Sequence, residues 1–284
     1  MKKVLILGAT GLIGHQVYFR LKANKNFVVF NFAHQRKISD DTVLLDARDE
    51  HLLEKAIVDI RPDVIVNCMG VLIAEANRNP EHAIFLNAYI PQRLKSIANI
   101  LGAKLVHIST DCVFSGKKGS YEEADIRDAD DTYGRAKALG EVTEPPHLTL
   151  RTSVVGPELK EGEELFHWFM SQQGSIKGYT QALWSGVTTL ELAKAVEWAI
   201  KHDIKGLYHV TNGQPINKCD LLRLFKKHTK KDIQIEAVDG RVTDKSLLDT
   251  RKKQESRVPD YDGMVHDMVE FMKLHPELYS QYSL

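Results

Sequence analysis

Tyr133 and Lys137 stand four residues apart in Tyr133-Gly134-Arg135-Ala136-Lys137. On an α-helix that spacing puts both side chains on one face, roughly 6 Å apart along the axis. A phenol with an ordinary pKa of about 10 is a weak acid or base at neutral pH. A nearby ammonium favours its ionised form and brings it within reach of general acid–base work. Hydroxyls that could hold a substrate oxygen beside it occur in Ser109-Thr110-Asp111, directly after the strand-like run Lys104 to Ile108. Open α/β sheets place their chemistry at the carboxyl ends of parallel strands. A phenol, a cation and a hydroxyl so arranged suit proton transfer at a carbonyl oxygen.

A second group of residues binds rather than reacts. Gly8-Ala9-Thr10-Gly11-Leu12-Ile13-Gly14 reads GxxGxxG between the apolar run Val4 to Leu7 and a helical pattern of Ile13, Val17 and Leu21. Glycine at the three places allows a tight turn, close approach of backbone to a pyrophosphate, and close helix–strand packing. A dinucleotide is the expected ligand. The acid that would take the ribose 2′-hydroxyl of NAD is missing from Asn31-Phe32-Ala33-His34-Gln35-Arg36-Lys37. Arg36 and Lys37 suit a 2′-phosphate instead, so NADP(H) is favoured over NAD(H). Asp46 either faces the adenine edge or caps a strand end.

The elements that must position these groups alternate. Phe27–Phe32, Val64–Val66, Lys104–Ile108 and Leu148–Leu150 read as strands. Leu52–Ile60, Ala83–Leu101 (interrupted only by Pro91) and Tyr133–Val142 read as helices. This is the pattern of an α/β fold with a doubly wound parallel sheet, a Rossmann architecture. Residues 1–155 form the dinucleotide-binding domain. Residues 156–284 form a smaller C-terminal α/β substrate lobe, from which 180–210 return to the first. Lys160-Glu161-Gly162-Glu163 reads as connection, Leu190–Ile200 and Asp220–Lys227 as helices, and the last forty residues show no clear pattern.

Composition excludes other classes. The 284 residues carry 38 Lys+Arg against 38 Asp+Glu, which disfavours a nucleic-acid or anionic-membrane binder. No apolar run is long enough to span a bilayer. The run after Met1-Lys2-Lys3 breaks at Gly8, unlike a secretion signal. Cys68, Cys112 and Cys219 lack metal or CxxC spacing and fit reduced thiols in the cytoplasm. The 12 histidines show no ligand pattern, so no metal is expected.

The chain resembles the extended short-chain dehydrogenases/reductases, and among them the dTDP-4-dehydrorhamnose reductases. The resemblance rests on GATGLIG over 8–14, Asn67-Cys68-Met69-Gly70, STDCVFSG over 109–116, Tyr121 to Asp125, YGRAKALGE over 133–141 and Leu150-Arg151-Thr152-Ser153. Gly186 to Ala193 and Ser246 to Asp249 resemble later segments of the family, although Val242-Thr243-Asp244-Lys245 stands where it usually has Arg-Pro ahead of the Ser. The resemblance implies NADPH-dependent reduction of the 4-keto group of a nucleotide-linked deoxy sugar. It implies Thr110, Tyr133 and Lys137 as the active triad, with Tyr133 protonating the carbonyl oxygen and Lys137 holding the nicotinamide ribose and lowering the phenol pKa. The cofactor would lie against Gly8, Thr10, Gly11, Leu12, Ile13, Gly14, Arg36, Lys37, Asp46, Cys68, Met69, Gly70 and Asn87, besides Tyr133 and Lys137. The substrate would lie against Thr110, Asp111, Val113, Trp184 and Ser246. Trp184 also suits the core, and Arg251-Lys252-Lys253 could take a phosphate. Sugar-nucleotide dehydratases carry Asp-Glu after the Thr, whereas here Cys112 follows Asp111, which disfavours dehydration. The group also includes a regulatory subunit of methionine adenosyltransferase, so a non-catalytic NADP-binding module is one alternative and a sugar-nucleotide epimerase another. A homodimer is compatible with the resemblance.

Overall fold

The structure is a computed structural model and describes residues 1–160, 162, 164–240, 242–251 and 258–284. Glu161, Glu163, Arg241, Lys252 and Lys253 lie outside the described residues. Strand β1 (Lys2–Leu7) is apolar at every position from Val4 on, because both its faces are covered. Val4 and Ile6 enter a core shared with Val17 and Leu21 of α1 (Gly14–Lys22). Leu5 and Leu7 enter the opposite core, shared with Leu53 and Ile57 of α2 (Glu50–Ile60).

The chain runs on through β2 (Phe27–Ala33), β3 (Val43–Leu44), β4 (Val64–Asn67), α3 (Ile73–Arg78), α4 (Pro80–Ile84), α5 (Ile90–Leu101), β5 (Lys104–Thr110), α6 (Thr132–Gly140) and β6 (Leu148–Thr152). It continues as β7 (Val154–Val155), α7 (Leu165–Ser171), β8 (Ser175–Tyr179), β9 (Ala182–Trp184), β10 (Val187–Thr188), α8 (Thr189–Lys201) and β11 (Gly206–His209). The remainder is β12 (Ile216–Asn217), α9 (Lys218–Thr229), β13 (Gln234–Val238), β14 (Thr243–Asp244) and α10 (Tyr261–Leu274).

Seven strands form one parallel sheet in the order β11-β6-β5-β4-β1-β2-β3. This is the doubly wound order with β11 added at the far edge, paired with β6 from Gly206↔Leu148 to His209↔Arg151. The order reverses between β1 and β4, so a crevice opens past the carboxyl ends of those strands. Away from this sheet, β9 is flanked by β12 and β14, and β8 pairs with β13. Five buried residues of α10 (Met264, Val265, Met268, Val269 and Met272) follow helical spacing and pack into the core shared with α1.

Two expected helices differ. Residues 83–101 are not one helix: a π-helical turn, Phe85–Tyr89, separates α4 from α5. The Ile90 amide then closes on the Phe85 carbonyl, and Pro91 falls in the first turn of α5, where its missing N–H costs nothing. Helix α6 ends at Gly140 rather than Val142, whose amide donates to Thr149 Oγ1 at 2.9 Å.

A Cβ at Gly14 would overlap the Gly8 carbonyl oxygen. The Gly14→Ala variant should therefore lose roughly 1–3 kcal/mol of stability through overpacking. Urea unfolding measures this, and an unchanged midpoint would refute the tight contact.

Candidate active site

The cradle comes first. Gly8 turns the chain at φ +80°, and a Cβ there would lie 3.1 Å from the backbone of Cys68 and Met69. A Cβ at Gly11 would lie 3.3 Å from the Gly8 oxygen. Helix α1 starts after Ile13 with no side-chain cap and no acid in its first turn. Backbone closeness and an uncapped helix start fit a dinucleotide pyrophosphate. Thr10, Leu12 and Ile13 lie part-buried along the turn. A prop supports it from behind. The Nδ1 of His15 donates to the Gly11 carbonyl at 2.9 Å, and its Nε2 accepts from the Tyr279 hydroxyl at 2.9 Å, which in turn accepts from Gln16 at 2.6 Å. Burial pulls His15 down to about 4 and keeps the imidazole neutral.

Across the crevice, Cys68 and Met69 are part-buried and Gly70 is exposed. The Cys68 amide donates to the Leu7 carbonyl and the Met69 amide to Asn67 Oδ1. Asn87, on the π-helical turn, bonds both the N–H and the C=O of Val71 at 3.0 Å. A Cβ on Gly70 would stand 2.8 Å from its Oδ1. Asn87 thus acts as a strut for the loop that carries Cys68 to Gly70.

At the far rim, Arg36 and Lys37 are exposed, and neither forms an ion pair among the described residues. Asp46 accepts the Arg48 amide at 2.9 Å and its guanidinium at 2.6 Å, with His34 Nε2 at 3.4 Å. The Arg48 hydrogen bond pulls this carboxyl down to about 2. Asp46 thus closes a short turn with Arg48 just after β3. Sequence reading gave Arg48 no role, although it stands only two residues from Asp46 and the Asp-x-Arg spacing is a local turn signal.

The residues of the expected triad stand at the end of β5. Thr110 Oγ1 donates to Asp111 at 3.2 Å and accepts the Cys112 amide at 3.1 Å. Asp131 caps α6 by accepting the Gly134 amide at 2.8 Å. Gly134 lets α6 press on the 110–113 turn, since a Cβ there would overlap the Cys112 carbonyl. Tyr133 and Lys137 lie buried on that face, and Lys137 Nζ donates to the Ile108 carbonyl at 2.7 Å. Burial pulls Lys137 down to about 8, against the charges of Glu141 and Cys68. Burial raises the Tyr133 phenol well above its ordinary value, with charges at Cys112, Asp111 and Glu164 adding to this and a Thr110 hydrogen bond opposing it. The expected lowering of the phenol is not the direction found: burial raises it, and the Lys137 ammonium gives one of its three N–H bonds to the Ile108 carbonyl. Burial thus favours the protonated Tyr133 phenol.

The proposed substrate residues are placed differently from one another. Asp111 is buried at the same turn, its carboxyl raised by burial against the charges of Lys245 and Lys218. Val113 is fully buried with Phe114, Tyr121 and Leu247. Trp184 is buried against Tyr261, with the Lys218 ammonium 5.1 Å from its ring centroid. The Ser246 hydroxyl accepts the Ser120 amide at 2.9 Å and its carbonyl the Tyr121 amide at 2.7 Å, so Ser246 stitches its segment to the loop after β5. Arg251 donates to the carbonyls of Lys205 and Leu207. Sequence reading missed Glu164, Lys218 and Lys245, which reach the turn from distant segments. It also gave no role to Glu141, whose carboxylate takes Arg151 at 2.8 and 2.7 Å and Ser109 at 2.7 Å.

Fold and site together define an NAD(P)-dependent oxidoreductase of the short-chain dehydrogenase/reductase type. Within that class the chain belongs to the RmlD substrate binding domain family, whose model matches residues 1–258. It is 30% identical over 236 residues to methionine adenosyltransferase 2 subunit beta of Bos taurus, covering 78% of this chain and 70% of that one. The shorter match to the same subunit of Rattus norvegicus spans 42% of its length. With dTDP-4-dehydrorhamnose reductase of Salmonella typhimurium it is 28% identical over 222 residues, 74% of this chain and 72% of that one. Among solved structures, a hypothetical dTDP-4-dehydrorhamnose reductase from Sulfolobus tokodaii superposes with TM-score 0.79 at 26% identity, covering 92% of this chain and 99% of the other. The Bacillus anthracis dTDP-4-dehydrorhamnose reductase in complex with NADP shares the fold, with TM-score 0.81 at 20% identity over 96% of this chain and 99% of that one. Among the described residues no helix is long and apolar enough to cross a membrane, and no group of acids, histidines or cysteines could hold a metal.

Removing one partner of a buried ion pair strands the other. Glu141→Ala should cost about 3–5 kcal/mol in urea unfolding. A loss below about 1 kcal/mol would mean that the pair does not organise this region.

Proposed function

We propose that this protein reduces the keto group of a nucleotide-linked deoxy sugar with NADPH. The observation that carries the reading is the juxtaposition of Thr110, Tyr133 and Lys137 at the end of β5, within the crevice bordered by the glycine cradle. Bound NADPH would supply the hydride. Thr110 would hold the carbonyl oxygen, and Tyr133, kept protonated by burial, would release its proton as negative charge grows on that oxygen. Lys137, cationic below its shifted pKa, would stabilise the phenolate left behind. Arg36 and Lys37 would take the 2′-phosphate, and no carboxylate stands between Asn31 and Lys37 to favour NAD.

The similarity to methionine adenosyltransferase 2 subunit beta supports a second reading, a regulatory NADP-binding module. The complete phenol, lysine and hydroxyl set speaks for catalysis, since a pure binder has no use for a buried proton donor.

The test is NADPH oxidation with a panel of dTDP- and UDP-linked 4-keto sugars. Tyr133→Phe should lower turnover by roughly 10²–10⁴-fold and leave NADPH affinity nearly intact. Full activity in that variant would sink the mechanism. Binding of NADPH with no oxidation across the panel would favour the regulatory module. Protein that purifies with bound, redox-cycling cofactor would favour an epimerase.

Lys137 is protonated below pH about 8 and neutral above it. The kcat/KM for the free enzyme should therefore fall as pH rises through about 8, and a flat profile from 7 to 9.5 would remove Lys137 from this role. Replacing Arg36 and Lys37 together by Ala should raise the KM for NADPH roughly tenfold or more, with little change for NADH. Equal losses with both cofactors would refute the 2′-phosphate assignment.

A further inference from the structure

Strand β9 carries Trp184 between two neighbours that each lead into a lysine. On one side β12 pairs Ile216 with Trp184, and Asn217 caps α9, whose first residue is Lys218. On the other side β14 pairs Asp244 with Leu183, and Lys245 follows directly. The Lys218 ammonium lies over the Trp184 ring. The Lys245 stem runs along the loop after β5, where a Cβ on Gly116 would meet its Cγ at 3.1 Å. From two separate segments, both ammoniums act on the buried carboxyl of Asp111.

Lys218 breaks a local rule. A cation in the first turn of a helix opposes the helix dipole, and taking an ammonium out of water costs more still. The Trp184 face and the charges of Asp111 and Glu164 offset that cost. Helix α9 gains nothing from a lysine there, so the position answers to the cleft rather than to the helix.

The composition of the cluster tells what it would read. Asp111 adjoins Thr110 in sequence and accepts its hydroxyl at 3.2 Å. A ring whose carbonyl oxygen meets Thr110 therefore turns its neighbouring carbons toward Asp111 and the two ammoniums. An ammonium only donates and a carboxylate only accepts, whereas a hydroxyl does both. With Asp111 and Glu164 set against the two ammoniums, the cluster holds no surplus of positive charge for a phosphate. The Trp184 face is covered by Lys218, so stacking on a sugar ring is not what the cluster offers. We propose that Lys218 and Lys245 are specificity-determining residues which, with Asp111, read the hydroxyl groups flanking the reacting carbonyl of the sugar. The inference rests on the reductase reading above.

The variants Lys218→Met and Lys245→Met keep the stem and lose the donor. Calorimetry on protein loaded with NADP⁺ compares a dTDP-linked 6-deoxyhexose with dTDP alone. Loss of a charge-assisted hydrogen bond should weaken the sugar-linked nucleotide roughly ten- to hundredfold in each variant. Binding of dTDP should change by less than about threefold, and the KM for the keto sugar should rise more than kcat falls. Unaltered NADPH affinity checks that the fold is intact, and Lys218→Arg should recover part of the loss. Equal weakening of both ligands would overturn the proposal, because the lysines would then read the pyrophosphate. Unaltered affinity for the sugar-linked nucleotide, with wild-type turnover intact, would overturn it and leave the reductase reading standing. Wild-type protein that binds neither nucleotide and oxidises no NADPH would overturn both.

Discussion

One buried carboxylate fixes the geometry on which this site depends. Glu141 follows Lys137 by one helical turn and has no exposed side-chain surface. Its oxygens take Ser109 of β5, the Nε and Nη2 edge of Arg151 of β6, and Arg127 from the loop before α6. Arg151 also donates to His209 Nε2 at 2.9 Å, and the other ring nitrogen of His209 donates to the Leu248 carbonyl at 2.8 Å. Strand β5, helix α6, the edge strand β11 and the segment after β14 are thus held by one network. A charge-assisted network of this kind is costly to desolvate and unforgiving of a missing member. What it provides is register: Thr110 and Tyr133 sit on different elements, and an ångström of slip between β5 and α6 would separate them.

The second constraint is dryness. Tyr133, Lys137, Asp111 and Cys112 are all moved from their ordinary pKa values chiefly by burial. Desolvation raises the phenol and lowers the ammonium, so both are pushed toward their neutral forms. The same low polarity that makes the phenolate costly also strengthens every hydrogen bond aimed at a developing oxyanion. A proton donor that waits for charge to appear on its partner suits reduction better than one already ionised.

How much was legible in the sequence depended on distance along the chain. The glycine turn, the Tyr133–Lys137 spacing and the hydroxyls after β5 are local patterns, and the strand–helix alternation set the sheet order. Lys218 and Lys245 could not be read, because only the pairing of β12 and β14 with β9 brings them to Asp111. The π-helical turn at Phe85–Tyr89 adds a single residue per turn and leaves no periodic mark. Helix α10 did leave one in Met264, Val265, Met268, Val269 and Met272, which the polar residues before it obscured. Ser246 shows what a motif leaves unsaid: its hydroxyl and carbonyl take the amides of Ser120 and Tyr121, a contact 126 residues apart in the chain for Ser120.

The prop behind the glycine turn has a consequence for how the molecule is made. Tyr279 supports His15, and 264 residues separate the two. At ribosomal speeds of about 5–20 residues per second, tens of seconds pass between the emergence of one and the other. Until then the turn that would grip the pyrophosphate lacks its backing. A nucleotide that arrives before Tyr279 has emerged meets the glycine turn without this second anchor on His15.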